Sequence, residues 1–324
     1  VATMKDKKPK IVFHANVLII QPIIDLYNTL GADASRGSTN NKEDIISPGA
    51  AHLVWGMIFN KTTYRYFRKL SNVFLIENGW FKPGNGCWID SKGPGPLSSL
   101  VGAALDRKAD AVAKEKVNSM ITWLRERRAV PEPIEEEEGY IFVPLQIESD
   151  CQIKYWSNCD APVGDRQKWF VKQVLSEFPT HRVVIRPHPR HPELGEEIEQ
   201  MEEFKDHGQA KVTLEGKSYD YFSKARAVVG VNSTTLLEAL TFYKPVCAMG
   251  DGIFTNNEVM LEAKGDGKCL KNVLDFQPDP DRITAFLDLL IERQVTYKNR
   301  PRFVHKFPVF LEVLEEAKRQ VANQ

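Results

Sequence analysis

Short apolar, β-type runs alternate with longer stretches of helical spacing along most of this chain. That alternation is the mark of parallel sheets flanked by helices. In the first half "KIVFHA", "HLVWG" and "NVFLIE" read as strands, and "QPIIDLYNTLG" and "NKTTYRYFRKLS" as helices. Residues Asp110 to Arg127 have helical spacing and end in a basic turn, favourable beside a helix C-terminus. The stretch "AVPEPIEEEEG", 129–139, then sets two prolines and four glutamates between periodic segments, which reads as a solvated linker rather than a metal site. The second half restarts with the strand "YIFVPLQ", the helix "DRQKWFVKQVLSEF" and the strand and turn "HRVVIRPHP". A helix–strand–helix–strand unit follows in "SYDYFSKARAVVGVNSTTLLEALTFYKPVCAMG", and the segments "DPDRITAFLDLLIERQ" and "FPVFLEVLEEAKRQVANQ" are helical.

A chain of 324 residues exceeds what one core usually organises. The expected division is 1–132, a Rossmann-like domain; 139–298, a second Rossmann-like domain; and 299–324, a helical tail packing back on the first, with Phe307, Phe310, Leu311 and Leu314 as core. Two such halves around a cleft hold ligands at the carboxyl ends of their strands. No G-x-G-x-x-G follows a strand, which disfavours a dinucleotide oxidoreductase. Lys+Arg and Asp+Glu both number 43, and this balance argues against bulk nucleic-acid binding. Five widely spaced cysteines without a CxxC pair read as reduced thiols, with no zinc-ligand spacing. The start "VATMKDKKPKIVF" lacks a signal peptide's apolar stretch, and no apolar run would span a bilayer, so a cytoplasmic protein is expected.

Four strand-to-loop junctions carry candidate chemistry. In "VVGVNSTTLLEAL", Asn232, Ser233 and Thr234 open a helix; they could be an ordinary N-cap or a phosphate-binding turn, and Glu238 could reach a ribose hydroxyl or stand in solvent. In "IRPHPRHP", His188 sits between two prolines with Arg186 and Arg190 nearby; it is either an exposed turn histidine or a phosphate donor. Two such turns on one predicted sheet edge favour the phosphate reading. Glu77 in "FLIENGWF" ends a strand before Gly79 and is a general-base candidate or a surface turn residue. In "FVPLQIESD", Gln146, Glu148 and Asp150 stand where strand gives way to loop. They form an ordinary loop or supply a nucleophile and acid/base pair for glycosyl transfer.

Taken together and in order, "IENGWF", "VPLQIESD", "RPHP" and "VNSTTLLEALTFYKPVCAMGDGIF" resemble the capsule-polysaccharide-synthesis type of bacterial glycosyltransferase, specifically its retaining β-Kdo transferases, over roughly residues 50–255. The resemblance implies a GT-B-like α/β fold and transfer of β-Kdo from CMP-Kdo to capsular lipid anchors or O-antigen chains. It assigns Asp150 as nucleophile, Glu77 as acid/base, and His188, Pro189, Ser233 and Thr234 as contacts of the CMP phosphate. The stretch "CWIDSKGPGPLSS", with Asp90 before a glycine-containing turn, also looks like the family's. Asn78 stands where the family carries a second acidic residue, and Cys151 and Gln152 where it carries small ones.

A similar acidic-Gly, His-Pro and Ser/Thr set occurs in inverting bacterial sialyltransferases, which also use a CMP-activated ulosonic acid. Retention by double displacement needs a further carboxylate at the anomeric face, and the Q-x-E-x-D signature supplies one. The donor-side set is completed by Asn232 and Glu238 near the nucleotide, and by Arg186, Gln146 and Glu148 near the sugar, Arg186 through the Kdo carboxylate. No cofactor or essential metal is expected, because CMP carries a single phosphate. The alternatives are a non-catalytic sugar-nucleotide-binding module and a structural partner in polymer assembly. The expected partners are CMP-Kdo and a glycan or glycolipid acceptor, without nucleic acid. The basic-then-amphipathic tail could instead touch the inner membrane face. A start at Val1 rather than Met is compatible with a unit cut from a larger polysaccharide-synthesis enzyme.

Overall fold

A computed structural model describes residues 7–15, 21–37, 42–45, 47–56, 61–81, 86–127, 139–263, 269–296 and 308–323. The chain divides into two compact units, one of Val1–Ser99 with Leu289–Gln324 and one of Leu100–Asp288. In chain order the strands of the first unit are β1 (Lys10–His14), β2 (Asp33–Arg36), β3 (Ala51–Trp55), β4 (Val73–Asn78) and β5 (Gly86–Asp90). The second unit holds β6 (Ile141–Pro144), β7 (Val183–Arg186), β8 (Ala210–Val212), β9 (Ala227–Gly230), β10 (Val246–Ala248) and β11 (Leu261–Glu262), before β12 (Gln294–Thr296) returns to the first. The helices are α1 (Gln21–Thr29), α2 (Lys42–Ile45), α3 (Lys61–Phe67), α4 (Ala111–Arg127), α5 (Cys151–Trp156) and α6 (Arg166–Glu177). They continue with α7 (Glu193–Glu199), α8 (Glu202–His207), α9 (Ser218–Phe222), α10 (Thr234–Leu240), α11 (Pro280–Arg293) and α12 (Pro308–Ala322).

The first sheet runs β12-β5-β4-β3-β1-β2. Its β2, β1, β3 and β4 are parallel, whereas β5 runs antiparallel to β4 and β12 antiparallel to β5. The sheet is therefore mixed rather than wholly parallel as the alternation suggested. One face packs Ile11, Phe13, Leu53, Phe74 and Ile76 against Ile23 and Tyr27 of α1 and Phe310 and Val313 of α12. The rings of Tyr27 and Phe310 stack with centroids 3.7 Å apart, and Tyr27 Oη donates to the Phe310 carbonyl at 3.2 Å. Val309, Phe310, Val313, Leu314 and Ala317 give α12 the i, i+4, i+7 stripe that buries one face. Leu311, expected in the core, is 38% exposed because it falls off that stripe, and Phe307 lies outside the described residues.

The second sheet runs β11-β10-β9-β6-β7-β8 and is parallel throughout. Every residue of β6, β7 and β9 is buried, the expectation for strands covered on both faces, and this is why they read as unbroken apolar runs. Phe170, Val171 and Val174 of α6 cover one face, and Phe142 stacks on Tyr221 on the other at 5.0 Å.

The observed division falls between Ser99 and Leu100, ahead of the boundary expected after residue 132. Polar anchors explain the shift. Asn257 accepts from Ala104 N at 2.8 Å and donates to the Leu100 carbonyl at 2.9 Å, while Lys114 pairs with Asp281 at 2.8 Å. Arg107 and Lys116 both reach Asp288, which is 2% exposed. These contacts tie α4 and the segment before it to the second unit. The acidic stretch 129–138 lies outside the described residues. The first unit also takes residues back from 289, ahead of the expected 298, because Gln294 opens β12 against β5. The α/β class expected from the sequence holds, with one sheet in each unit and the C-terminal helix α12 packed on the first sheet. Among the described residues no helix is long and apolar enough to cross a membrane.

Candidate active site

Parallel neighbours in the order β10-β9-β6-β7 bring four loops to one edge of the second sheet. Asp150 follows β6, His188 follows β7, residues 232–234 follow β9, and Gly250 and Asp251 follow β10. Asp150 has extended backbone (φ −60°, ψ 134°) and caps α5, its Oδ1 accepting from Gln152 N at 2.8 Å. Oδ2 makes no hydrogen bond among the described residues. The side chain is half-buried, and the cap bond to Oδ1 fixes the carboxylate.

His188 is held by its own turn. Its Nδ1 accepts from Arg190 N at 3.1 Å, so in the neutral ring the proton sits on Nε2. Partial burial pushes its pKa below the ordinary value, Arg190 and Arg186 push the same way, and the Asp150 carboxylate opposes them. Pro189 is exposed on the turn. Ser233 caps α10, with Oγ accepting from Thr235 N at 3.1 Å. That bond uses a lone pair and leaves the hydroxyl proton to donate elsewhere. Thr234 is exposed and Glu238 is half-buried one turn on.

Four residues of the expected donor set are bonded within the protein. Glu148, 9% exposed, accepts from Gln167 N at 2.5 Å and Gly164 N at 3.2 Å, at the start of α6. Gln167 Oε1 accepts from Gln146 N at 3.1 Å, and Gln146 Oε1 accepts from Asn232 N, also at 3.1 Å. Asn232 Nδ2 then donates to the carbonyls of Gln152 at 3.1 Å and Asp251 at 3.2 Å. This relay fastens the loop of Asp150 to the Ser233 turn and to the loop after β10. Arg186, 6% exposed, donates through Nη2 to the Gly216 carbonyl, and burial lowers its pKa. Gln167, Gly250 and Asp251 were not among the expected residues. Gly250 has no room for a side chain, since a Cβ would lie 2.6 Å from the Trp156 carbonyl.

In the first unit, Glu77 is half-buried at the carboxyl end of β4, in register with Trp88 of β5. Its Oε1 lies 3.6 Å from where a Cβ would stand at Gly56, a residue with φ +56°. The turn after it is rigid. Gln294 brackets Phe81 with two bonds of 3.1 Å, Gly79 packs on the Gln294 amide, and Trp80 stacks on Trp88 at 4.7 Å. Asp90 is fully buried and accepts from Lys92 N, Gly93 N, Ser98 Oγ and both N and Oγ of Ser99, at 2.7–3.1 Å. That bonding makes Asp90 an anchor of its loop.

A cavity of about 700 Å3 in this unit lies away from Glu77, lined by Lys10 and Asp33, which begin β1 and β2, and by the buried pair His14 and His52. His52 Nε2 donates to the Ser47 carbonyl at 3.0 Å, so its Nδ1 accepts from His14 Nε2 at 2.9 Å. Burial lowers the His52 pKa from 6.5 to about 4. None of the five cysteines forms a disulfide. Among the described residues no three His, Cys, Asp or Glu side chains group as a metal site requires.

Comparison with known proteins follows the same lines. Two solved structures share the fold, both Thermosulfurimonas dismutans KpsC. One, a β-Kdo 2,7 transferase, superposes with TM-score 0.59 at 19% identity over 95% of this chain and 99% of that one. The other, a β-Kdo 2,4 transferase, gives TM-score 0.56 at 14% identity over 88% and 91%. Protein FixF of Sinorhizobium fredii is 28% identical over 140 residues, 42% of this chain and 32% of its own length, so the chain spans about a third of that curated relative. The capsule polysaccharide biosynthesis protein family matches residues 108–298, more than half of the chain and all of the carboxyl edge described above. The chain belongs to that family.

Proposed function

We propose that this protein is a retaining glycosyltransferase that moves β-Kdo from CMP-Kdo to a saccharide acceptor in bacterial surface polysaccharide synthesis. The observation that carries the reading is the row of Ser233 with Thr234, Asp150 and His188 on three neighbouring strand ends of one parallel sheet. A hydroxyl turn and an Nε2-protonated histidine are neutral donors suited to a single phosphate, and the carboxylate between them is suited to the carbon that phosphate leaves. The similarity to two β-Kdo transferases points to the same sugar.

In this mechanism His188 Nε2–H, Ser233 Oγ–H and the Thr234 hydroxyl hold the CMP phosphate. Asp150 Oδ2 attacks the anomeric carbon, the bond to the phosphate oxygen breaks, and CMP leaves with the electron pair. Glu77 takes the proton of the acceptor hydroxyl as its oxygen attacks the adduct and displaces Asp150. Two inversions leave the β configuration of the donor. No step is routed through a metal ion: the hydrogen bonds of His188, Ser233 and Thr234 stabilise the negative charge that gathers on the phosphate as CMP departs. The reaction belongs on the cytoplasmic side, where CMP-sugars are made, with the acceptor presented as a glycan or glycolipid. Gln146, Glu148 and Asn232 act by holding the Asp150 loop, and Arg186 by holding the loop at Gly216.

The test is transfer from CMP-Kdo, generated in place by its synthetase, to Kdo-bearing oligosaccharide acceptors, with the product anomer read by NMR. A β product that disappears in both Asp150→Ala and Glu77→Gln supports the reading. An α product points to the inverting, sialyltransferase-like alternative. CMP binding without turnover points to the non-catalytic module.

A further inference from the structure

We infer that Gln294 is a positioning residue for Glu77: its side-chain amide fixes the turn that follows Glu77 and the tryptophan pair beside it. The inference rests on the acid/base role proposed for Glu77 and adds to it the residue that keeps this carboxylate in place for the second displacement.

Glu77 of β4 lies opposite Trp88 of β5, and Trp88 lies opposite Gln294 of β12. Residues directly opposite on antiparallel strands project from the same face of the sheet. Glu77, Trp88 and Gln294 therefore form one row across three strands, spaced about 4.8 Å from strand to strand, with Trp88 in the middle. On the β3 side Glu77 meets Gly56, where a Cβ would stand 3.6 Å from Oε1. The carboxylate is thus bordered by a position without a side chain and by the Trp88 indole.

The turn after Glu77 folds back along this row and is caught by Gln294. That side chain, 4% exposed, meets both backbone groups of a single residue. Its Oε1 accepts from Phe81 N and its Nε2 donates to the Phe81 carbonyl, each at 3.1 Å. The amide stands in for a strand partner, and it satisfies two backbone groups of a buried residue. Gly79 lies flat on the same amide, where a Cβ would come within 2.7 Å of Gln294 Cδ. With residues 79 and 81 both held from β12, Trp80 between them is set on Trp88, ring centroids 4.7 Å apart and planes 24° apart. Asn is a methylene too short for this pair of bonds, and a carboxylate makes only the one from Phe81 N.

In the second displacement the acceptor oxygen bonds to the anomeric carbon, the bond to Asp150 breaks, and the acceptor proton passes to Glu77. That transfer needs the carboxylate within hydrogen-bond reach, and a misplacement of about 1 Å costs about 100-fold in rate. The first displacement uses Asp150 and the phosphate-holding groups of the second sheet, so Gln294 bears on the second step alone.

The test separates the two steps in single turnovers with CMP-Kdo freshly made by its synthetase. Intact mass follows formation of the adduct, then its discharge when a Kdo-bearing oligosaccharide is added. Wild type, Gln294→Leu, Gln294→Glu, Glu77→Gln and Phe310→Ala are compared, each confirmed folded by circular dichroism at the assay temperature. Gln294→Leu should form the adduct at the wild-type rate and discharge it about tenfold or more slowly. Gln294→Glu should behave likewise at pH 8 and recover relative to wild type as the pH falls, because a protonated carboxyl again donates to the Phe81 carbonyl. Phe310→Ala, which loosens the same unit away from the turn, should discharge normally. Discharge at the wild-type rate from the Gln294 variants, with Glu77→Gln still blocked, overturns the inference and leaves the role of Glu77 standing. Equal slowing of both steps, or slowing shared by Phe310→Ala, also overturns it. Normal discharge from Glu77→Gln, or no adduct on any of the proteins, overturns the underlying reading and the inference together.

Discussion

Replacing Glu148 by Gln separates a residue that holds the site from one that touches the sugar. Glu148 is 9% exposed and accepts two backbone N–H groups at the start of α6, 2.5 and 3.2 Å away. Gln retains one acceptor oxygen but sets an NH2 against the second backbone donor, which then loses its partner. A hydrogen bond to a charged group contributes about 1.5–3 kcal/mol, and an orphaned buried donor costs about 1–3 kcal/mol. The expected loss is therefore about 2–4 kcal/mol, most of it in the second unit. For a domain of this size that corresponds to a Tm lower by about 5–12 °C. Thermal denaturation followed by circular dichroism reads the loss. Steady-state kinetics then show a reduced kcat, because the loop of Asp150 has lost a tether, with a donor KM that moves little. Unchanged Tm together with a raised donor KM would refute this reasoning and return Glu148 to the sugar-binding role its sequence position suggests.

Three further outcomes are expected. His52 is held neutral in the folded chain, so between pH 6.5 and about 4 the unfolded chain binds a proton that the folded chain does not. Stability should fall as pH drops through that window and level off below it. The contribution is at most about 3 kcal/mol, taken as the difference between wild type and His52→Gln in urea melts; superimposable pH profiles would exclude it. Gly250→Ala forces a shift of the Trp156 carbonyl, costing about 1–3 kcal/mol, and lowers CMP affinity; a variant with native Tm and affinity would show that the loop is not pinned there. Phe310→Ala removes a fully buried ring stacked on Tyr27 and should cost about 3–5 kcal/mol, measured by urea melts; a loss below about 1 kcal/mol would mean that α12 contributes little to the first unit.

What the sequence disclosed follows from burial. The strands in "YIFVPLQ", "HRVVIRPHP" and "KARAVVGV" are covered on both faces, so each is an uninterrupted apolar run and was found. "DASR" forms an edge strand with three of four residues exposed, and "QVT" follows α11 without a break, so neither carries a pattern to read. The antiparallel course of β12 depends on pairing with β5 some two hundred residues earlier, and that of β5 on a local return along β4 that no apolar pattern marks. A composition break at 129–139 attracted the domain boundary, whereas contacts such as Asn257 with Leu100 and Ala104 set it. The junctions at Asp150, His188 and Ser233 were legible because polar residues at strand ends of a parallel sheet share one edge. Which of those residues face outward was not legible. Glu148 looks like Asp150 in the sequence, and only its partners at Gln167 and Gly164 distinguish them.

The central claim is a covalent bond between Asp150 and Kdo, and the most direct measurement is intact mass after mixing with CMP-Kdo made in place by its synthetase. The Glu77→Gln protein is the one to use, since it should form the adduct and fail to pass it on. The account predicts a Kdo-sized gain on Glu77→Gln that maps to the peptide containing Asp150, and no gain on Asp150→Ala. An unmodified Glu77→Gln protein that still releases CMP from CMP-Kdo, or an adduct that persists in Asp150→Ala, would contradict it.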